Sequence, residues 1–564
     1  MAIRFALHQI PFSRRGSYLA LFRKSQDGLG GDASRPISIR CLSGSMWECP
    51  EIFHLAMLSG GAEVLFAEES TGEVATLQAQ QGGGTVRIVF QDADTIRFRG
   101  QGAGLALNSP SKTVMFPHGP KAWQCRVTST SQLIVNPLVG QMTLTPTQDG
   151  KACTSLRIQP EGGVFELTVR RITSSGRPAE AVGSFDDCVN RTGQEIRQWV
   201  ARFAAMPAGF EELGQMEAFI LWNLLVNPHG NNKRELVLAS KVGLVGTWSW
   251  DHMWNVLALR NVDADMAWDQ LMGVIDHQDE MGAFPDCFSD NTKILTYVKP
   301  PIHGFMLGWL ERNCDWVGRR HWLEAYGPLC KATNWWLDQR DDDGDGVPHY
   351  LHGNDSGWDN STAFDEGTPL ESPDLSAWLI LQMEWLASTA TRLGFNTDAA
   401  MWKARATDLQ KKMLEHFWTG DRLVAKLSTS HKIVESESLL VRLPLVLGKR
   451  LPKEVQDWLI GELSAEGRFL CEHGYASEAL TSPKHKTLGY WRGNIWPATI
   501  LIVVDALQQV GQQKLAASVI ERFLKLVRDH GDYENYDART GAGQFDHPLA
   551  WTACNVLILG PQIA

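Results

Sequence analysis

The sequence predicts a mainly α-helical protein in which an antiparallel β-sandwich over residues 1–185 precedes an (α/α)6 toroid over residues 186–564. Apolar and polar residues alternate with a period of two in the first part, and apolar residues recur about every 3.6 residues in the second. The change falls at residues 184–187. A chain of 564 residues also exceeds what one hydrophobic core usually organises, so at least two domains are expected.

Short alternating runs between Gly-, Ser- and Asp-rich turns define the first part. They predict strands over residues 86–90, 95–99 and 164–169, among others. Regular spacing of strands and turns over this length is typical of a sandwich.

About a dozen helical segments are predicted in the second part, many of them in pairs joined by long polar loops. No self-similarity is visible at the periods of about 34 to 47 residues that helical repeats show. Such pairs can close as six inner and six outer helices, with a pocket at one end of the inner ring. Two apolar stripes illustrate the helical pattern: Met216, Phe219, Ile220 and Leu224, and then Ile495, Trp496, Ile500, Val503, Val504 and Leu507.

The charge and composition limit the classes of molecule that the protein is expected to bind. Lys and Arg total 53 against 64 Asp and Glu, a net charge of −11, and no basic block occurs. This argues against nucleic acid or an anionic membrane and fits a small carbohydrate, with self-association into a homo-oligomer left open.

The N-terminal stretch and the cysteines suggest a location. His8, Pro11 and the pair Arg14-Arg15 interrupt the first residues before a signal-peptide core is reached, and no apolar run is long enough for a membrane helix. The ten cysteines are scattered without zinc-site spacing. We therefore expect a cytoplasmic protein with free, buried thiols.

Tryptophan is unusually frequent, with 22 residues against 8 tyrosines. Trp335 and Trp336 lie in helical stripes and are expected in the core. Others stand beside Gly, Asp, Asn or Arg, in segments 248–251, 357–359 and 490–493. A flat ring next to hydrogen-bonding groups suits a sugar, whose C–H face stacks while its hydroxyls need polar partners.

Two carboxyl groups are needed to hydrolyse a glycosidic bond, and two acids stand out. Asp359 follows Trp358 in a loop, residues 352–361, that is too rich in Gly, Asn and Ser to be helical. An apolar indole would raise the pKa of Asp359 toward that of a general acid. The alternative is an Asx turn or a helix N-cap.

Glu534 follows a helix that is predicted to end near His530. Between Tyr533 and Tyr536 it could hold a water while ionised, as a general base must. A surface carboxylate after a helix is an equal alternative. Spacing does not exclude Asp532 or Asp537 as the base.

Three segments together resemble glycoside hydrolase family 63 and its relatives, which include mannosylglycerate and glucosylglycerate hydrolases and, more distantly, trehalases. They are Gly-Trp-Asp-Asn-Ser at 357–361, Tyr-Trp-Arg-Gly-Asn-Ile-Trp-Pro at 490–497, and Glu-Asn-Tyr-Asp at 534–537 with Thr540-Gly541. They appear in the family's order, and the resemblance spans residues 190–564.

The resemblance implies roles for individual residues and no required cofactor. Asp359 corresponds to the general acid and Glu534 to the general base of an inverting enzyme, whose carboxyl groups stand about 6.5 to 9.5 Å apart. The sugar pocket is implied to comprise Trp248, Trp250, Asp251, Trp254, His303, Trp358, Tyr490, Trp491, Arg492, Gly493, Trp496 and Tyr536.

The implied function is an exo-acting, α-glucosidase-like hydrolase of a small α-glucoside or oligosaccharide. The alternatives are a mannosylglycerate- or glucosylglycerate-type hydrolase, a trehalase-like enzyme, a disaccharide phosphorylase, which needs only the acid, and a non-catalytic glycan-binding protein. A toroidal polysaccharide lyase would use Tyr and His as its central pair.

Two further features depart from this pattern or add to it. Lys299-Pro300-Pro301 stands where some relatives carry Gln-Pro-Pro; we predict that Lys299 packs and pairs, and we leave open whether nearby His303 contacts an anionic aglycone. Asp341, Asp343 and Asp345 precede Gly346 as in the start of a calcium loop, although the Glu of an EF-hand is absent. A structural calcium ion and a plain acidic turn are equal alternatives there.

Overall fold

A computed structural model describes residues 3–26, 30–44, 50–146 and 153–564. The predicted fold class is confirmed, since antiparallel sheets precede a closed double ring of helices.

The N-terminal region consists of two antiparallel sheets. Their orders are β1-β6-β7-β8-β9-β16-β13-β12-β11 and β14-β15-β10-β4-β3-β2, with β5 paired to β4. The strands are β1 Arg4–Phe5, β2 Leu19–Phe22, β3 Ser38–Cys41, β4 Glu51–Ser59, β5 Ala62–Val64, β6 Phe66–Thr71, β7 Ala75–Ala79, β8 Thr85–Asp92, β9 Thr95–Gln101, β10 Gly104–Thr113, β11 Met115–His118, β12 Ala122–Arg126, β13 Gln132–Val139, β14 Gln141–Pro146, β15 Cys153–Gln159 and β16 Val164–Ile172.

The period-two pattern places one face of each strand in a shared core. In β7, Ala75, Leu77 and Ala79 are buried while the residues between them are more exposed. They pack with residues from both sheets, such as Phe98 and Leu105. The three strands predicted from sequence lie within β8, β9 and β16.

Twelve α-helices and one long 3₁₀ segment, Leu439–Arg450, form the framework of the rest of the described chain. The helices are α1 Phe185–Val200, α2 Glu211–Leu224, α3 His252–Leu259, α4 Ala264–Ile275, α5 His303–Asn313, α6 Arg319–Gln339, α7 Pro373–Leu393, α8 Asn396–Phe417, α9 Lys453–Ser464, α10 Pro497–Gln509, α11 Gln513–His530 and α12 Ala550–Leu559.

Six segments form a closed inner ring. Helices α3, α5, α7, the 3₁₀ segment, α10 and α12 each contact the next, and α12 returns to α3. Helices α2, α4, α6, α8, α9 and α11 pack around them. Burial follows this arrangement: every residue of α3 and α12 is buried, whereas α11 buries one face through residues such as Val519 and Phe523.

Short strands order the loops between the helices. They are β17 Leu225–Val226, β18 Leu236–Val237, β19 Thr247–Trp248, β20 Cys287–Phe288, β21 Lys293–Ile294, β22 His349–Tyr350, β23 Leu370–Glu371, β24 Ala425–Leu427, β25 Ile433–Val434, β26 Leu470–Cys471, β27 Gly474–Tyr475, β28 Asn535–Tyr536 and β29 Gly543–Gln544. Short 3₁₀ turns occur at Gly353–Ser356, Thr362–Phe364 and Gly560–Ile563.

The sheets and the helical ring meet through specific contacts. Helix α1 begins with a capping box between Ser184 and Asp187 and packs against both β8 and α2. Arg40, buried in β3, donates 2.8 Å hydrogen bonds to the carbonyls of Lys241 and Val242. The sheet region therefore supports a loop of the helical region. The division at residue 185 stays a prediction.

Several local expectations change. Ile495 and Trp496 precede α10 because Pro497 starts that helix, so they are not part of its stripe. Residues 353–356 form a 3₁₀ turn in a loop predicted to lack helical structure.

The eight cysteines with described side chains are free thiols, although Cys314 and Cys330 are only partly buried; Cys49 and the Cys153 side chain lie outside the described part. No helix in the described residues has the length and apolar character that crossing a bilayer requires.

Candidate active site

A cavity of about 250 Å³ lies at one end of the inner ring of helices. Five of the loops that lead into inner helices contribute to it, those before α3, α5, α7, α10 and α12. The cavity therefore lies at the N-terminal ends of these helices. Its wall comprises Leu244, Trp248, Trp250, Asp251, Asp286, Lys299, Asn354, Gly357, Asp359, Tyr490, Trp491, Trp496, Glu534, Leu549 and Trp551.

Asp359 lies on one wall, with 36% of its side chain exposed. The preceding Gly357 has φ 75°, and a Cβ there would come within 2.7 Å of the Trp250 ring. Both constraints require glycine. Trp358 is buried and packs 4.5 Å from Trp491, centroid to centroid, so it anchors the loop while the next side chain turns into the cavity.

Lys299 stands beside Asp359. Its Nζ lies 3.1 Å from Asp286 Oδ1 and 3.7 Å from Asp359 Oδ1. It also donates to the backbone and side-chain oxygens of Asn354, at 3.0 and 2.9 Å. Burial alone would lower the pKa of Lys299, but Asp359 and Asp286 raise it above its usual value. Lys299 therefore stays protonated, and it donates two hydrogen bonds to Asn354 while its charge faces Asp286 and Asp359.

The same contact acts on Asp359. Withdrawal from bulk solvent raises the pKa of Asp359, and the charge of Lys299 partly offsets this rise. A carboxyl with a raised pKa and one open side can carry a proton to a bound ligand.

Glu534 lies on another wall and is 3% exposed. The Tyr490 hydroxyl donates to its Oε1 at 2.8 Å, and the backbone N–H of Asp546 donates to its Oε2 at 3.3 Å. Burial and the charge of Asp546 raise the pKa of Glu534 to about 8, against the lowering effect of Tyr490. The two donors fix the orientation of the carboxylate.

Asp251 adds a third acid to the wall, at the start of α3. Burial raises its pKa to about 8, and its Oδ2 has no hydrogen-bond partner among the described residues. A neutral carboxyl with a free oxygen suits a sugar hydroxyl.

Aromatic rings enclose the acids. Trp491 and Trp496 stack with centroids 3.8 Å apart and planes within 2°. Trp551 stands edge-on to both Trp496 and Trp250. The cavity thus combines flat apolar faces with carboxyl groups, as sugar binding requires.

Two predicted pocket residues lie behind this wall, in α3 and in the buried first turns of α5. Trp254 is fully buried in α3, edge-on to Trp250. His303 begins α5 and packs 4.9 Å from Phe284, and burial lowers its pKa to about 4. His303 is a neutral core residue, which corrects its placement in the pocket.

Four others also lie off the cavity wall. Trp358 anchors its loop as described. Arg492 turns outward, donating to the Asn360 carbonyl and pairing with Asp365. Gly493 has φ 150°, with His485 close to where a Cβ would lie. The Tyr536 hydroxyl donates to the Gly531 carbonyl at 2.7 Å, which stabilises the turn carrying Glu534.

The structure also shows which tyrosine contacts Glu534 and where the alternative bases, Asp532 and Asp537, lie. Tyr490, not Tyr533 or Tyr536, contacts the Glu534 carboxylate. Asp532 is buried beside Glu217, and Asp537 accepts the N–H groups of a following turn. Neither Asp532 nor Asp537 lines the cavity.

Sequence reasoning missed Asp286, Asn354, Leu244, Leu549 and Trp551 as wall residues. Leu549 and Trp551 lie at the N-terminal end of α12, whose continuous apolar run was the available signal for them. Leu244, Asp286 and Asn354 lie in the loops well before α3, α5 and α7 and had no such signal. The Asp341, Asp343 and Asp345 carboxylates do converge, with ligand atoms within 4.8 Å of one another. Calcium binding there stays a prediction.

The helical region is similar in sequence to a known family of glycoside hydrolases. Residues 245–552 match the model of the mannosylglycerate hydrolase MGH1-like glycoside hydrolase domain. The chain belongs to the MGH1-like glycoside hydrolases. The matched region contains eight of the predicted site residues on the cavity wall: Trp248, Trp250, Asp251, Asp359, Tyr490, Trp491, Trp496 and Glu534.

Individual relatives of this MGH1-like hydrolase are distant. Mannosylglycerate hydrolase MGH1 of Selaginella moellendorffii is 22% identical over 389 residues, which cover 55% of this chain and 79% of that protein. The solved GH63 mannosylglycerate hydrolase from Thermus thermophilus in complex with glucose aligns with a TM-score of 0.51 and 20% identity, covering 59% of this chain and 96% of that one.

A bacterial glucoamylase complexed with acarbose aligns over 100% of this chain and 95% of its own, with a TM-score of 0.66 and 11% identity. The predicted resemblance to family 63 is confirmed, and the MGH1-like chain is a glycoside hydrolase with the sandwich-plus-toroid fold.

Proposed function

We propose that this hydrolase is an inverting, exo-acting enzyme that removes one terminal α-linked sugar from a small glycoside, with Asp359 as general acid and Glu534 as general base. The observation that carries the proposal is that both carboxyl groups line one cavity of an MGH1-like hydrolase. Its volume of about 250 Å³ is below the range of about 300 to 1,000 Å³ typical of drug-sized pockets, which fits a single sugar unit.

The surroundings of the two carboxyl groups support a different catalytic role for each of them. Asp359 keeps one side open to the cavity, so its proton can reach a glycosidic oxygen. Glu534 is held by Tyr490 and the Asp546 N–H, so its carboxylate is oriented to take a proton from water on the opposite face of the sugar. Lys299 pairs with Asp359 and Asp286 and bonds to Asn354, which agrees with its predicted pairing role.

The substrate we favour is a mannosylglycerate- or glucosylglycerate-type compound, in preference to the general α-glucoside expected first. Membership of the MGH1-like family supports this choice. A trehalase-like activity and a neutral α-glucoside are the alternatives.

One substrate panel tests the proposal. Purified enzyme is incubated with α-mannosylglycerate, α-glucosylglycerate, trehalose and α-linked glucose disaccharides, with and without phosphate, and proton NMR follows the first anomer formed. We expect hydrolysis of a glycosylglycerate without phosphate and initial release of the β-anomer. Release of the α-anomer would refute inversion, and a phosphate requirement would favour a phosphorylase.

A further inference from the structure

A second cluster of ionisable side chains lies outside the cavity. Asp345, Glu371, His416 and His431 each place one ligand-type atom within 4.8 Å of the others. They come from the loop after α6, from β23, from the last turn of α8 and from the turn between β24 and β25. Four separate segments therefore meet at one point.

His416 links two carboxylates of this cluster. Its Nε2 donates to Glu371 Oε2 at 2.7 Å, and its Nδ1 lies 3.7 Å from Asp345 Oδ2. With the proton on Nε2, the Nδ1 lone pair faces Asp345. A histidine held by a carboxylate on one nitrogen and free on the other is the usual arrangement of a metal-ligating imidazole.

His431 completes the group from the opposite side. Its Nε2 lies 3.5 Å from Asp345 Oδ2 and 3.2 Å from Asp343 Oδ2. Ligand atoms around a tetrahedral Zn²⁺ with bonds of about 2.0 to 2.1 Å stand about 3.4 Å apart. The distances from Asp345 Oδ2 to His416 Nδ1 and to His431 Nε2 are close to that spacing.

Glu371 supplies an independent indication. It is fully buried, and its Oε1 has no hydrogen-bond partner within the described ranges. A buried carboxylate is costly without a compensating positive charge, and His416 supplies Glu371 with only one hydrogen bond. A cation bound to His416 Nδ1 would provide that charge through the imidazole.

We propose that Asp345, His416 and His431 bind a divalent transition-metal ion such as Zn²⁺, with Glu371 orienting His416 and Asp343 or water in the fourth position. Two imidazole nitrogens favour such an ion over calcium, which prefers oxygen ligands throughout. The ion would join the 341–347 loop to α8, close in sequence to the loop that carries Asp359.

Titration of the full-length protein tests the site. After dialysis against chelator, the protein is titrated with Zn²⁺, Co²⁺ and Ca²⁺ by calorimetry, with the visible spectrum recorded for Co²⁺ and the melting temperature for each ion. We expect one equivalent of Zn²⁺ or Co²⁺ to bind, a tetrahedral Co²⁺ spectrum, and a higher melting temperature.

Variants separate this site from adventitious binding. His431 is exposed, so His431→Ala should fold, as circular dichroism would verify, and should weaken Zn²⁺ affinity at least about 10-fold. Asp345→Asn should do the same. His118→Ala, which removes an imidazole from β11 in the sandwich, is the matched control and should bind as the unchanged protein does.

Three results would overturn the proposal: no binding of Zn²⁺ or Co²⁺ at millimolar concentration, equal affinity in His431→Ala, or stabilisation by Ca²⁺ alone that survives loss of His431. None of these depends on catalysis.

Discussion

Two of the acids that line the cavity, Asp359 and Glu534, have contrasting surroundings. Asp359 is partly exposed and is influenced by the Lys299 charge at 3.7 Å, whereas Glu534 is 3% exposed and held by two hydrogen-bond donors. Burial raises the pKa of both carboxyls. In the proposed roles, a neighbouring cation adjusts the protonation of the acid, while two hydrogen-bond donors fix the orientation of the base.

Removing either acid tests this contrast most strongly. Asp359→Asn and Glu534→Gln should each lower kcat about 10²- to 10⁴-fold on a natural substrate, the range of general acid–base catalysis. An aryl glycoside with a good leaving group needs no protonation. Kinetics with that substrate should therefore restore much of the activity of Asp359→Asn and little of that of Glu534→Gln.

The control for both is Glu521→Gln, an isosteric change on the outer helix α11 that should leave kcat unchanged. Equal recovery of the two acid variants on the activated substrate would contradict separate roles.

Tyr490→Phe removes one of the donors that hold Glu534. Because the hydroxyl favours the ionised carboxylate, its loss should raise the pKa of Glu534 above about 8. We expect kcat/KM at pH 7 to fall about 10-fold, the effect of one hydrogen bond to a charged group, with partial recovery at higher pH. A pH profile that keeps its limb near pH 8 would show that the contact does not control the base.

Lys299→Met addresses the other wall. The charge of Lys299 favours ionised Asp359, so removing it should raise the pKa of Asp359 and move the corresponding limb of the kcat/KM profile to higher pH. The limb assigned to Glu534 should move less. The profile is measured for a neutral and an anionic substrate, and a change confined to the anionic substrate would assign Lys299 to aglycone binding instead.

A second carboxyl pair, Glu217 and Asp532, provides a comparison outside the cavity. Burial raises the pKa of Asp532 to about 7. An acid whose pKa is higher in the folded than in the unfolded protein lowers the free energy of unfolding as the pH rises from its unfolded pKa to its folded pKa. Glu217→Gln removes one of the two buried acids, so its stability relative to the unchanged protein should increase over that interval.

The expected gain is on the order of 1 to 2 kcal/mol in the free energy of unfolding, measured in urea at pH 5 and pH 8. Activity should stay within about threefold. A gain that is the same at both pH values would mean that the raised pKa of Asp532 does not affect stability in this interval.

The fold and the two acids were accessible from sequence because both depend on local signals. The change of apolar period separates sheet from helix, and Trp358-Asp359 and Glu534 stand in recognisable segments. Contacts between distant loops were not accessible. The approach of Lys299 to Asp286 and Asp359 has no sequence signal. The same is true of the contact between Glu534 and Tyr490, where Tyr536 was expected. Trp254 and His303 differ from cavity residues only in the direction in which their side chains leave the helix.

The Arg40 contact described for the fold has a consequence for catalysis. Arg40 holds the carbonyls of Lys241 and Val242, the next two N–H groups bind the Asp546 carboxylate, and the Asp546 N–H binds Glu534. The sheet region thus supports the orientation of Glu534 through a continuous chain of hydrogen bonds. The helical region expressed without the sheets would lose the Arg40 end of that chain, and the Glu534 carboxylate would be held less firmly.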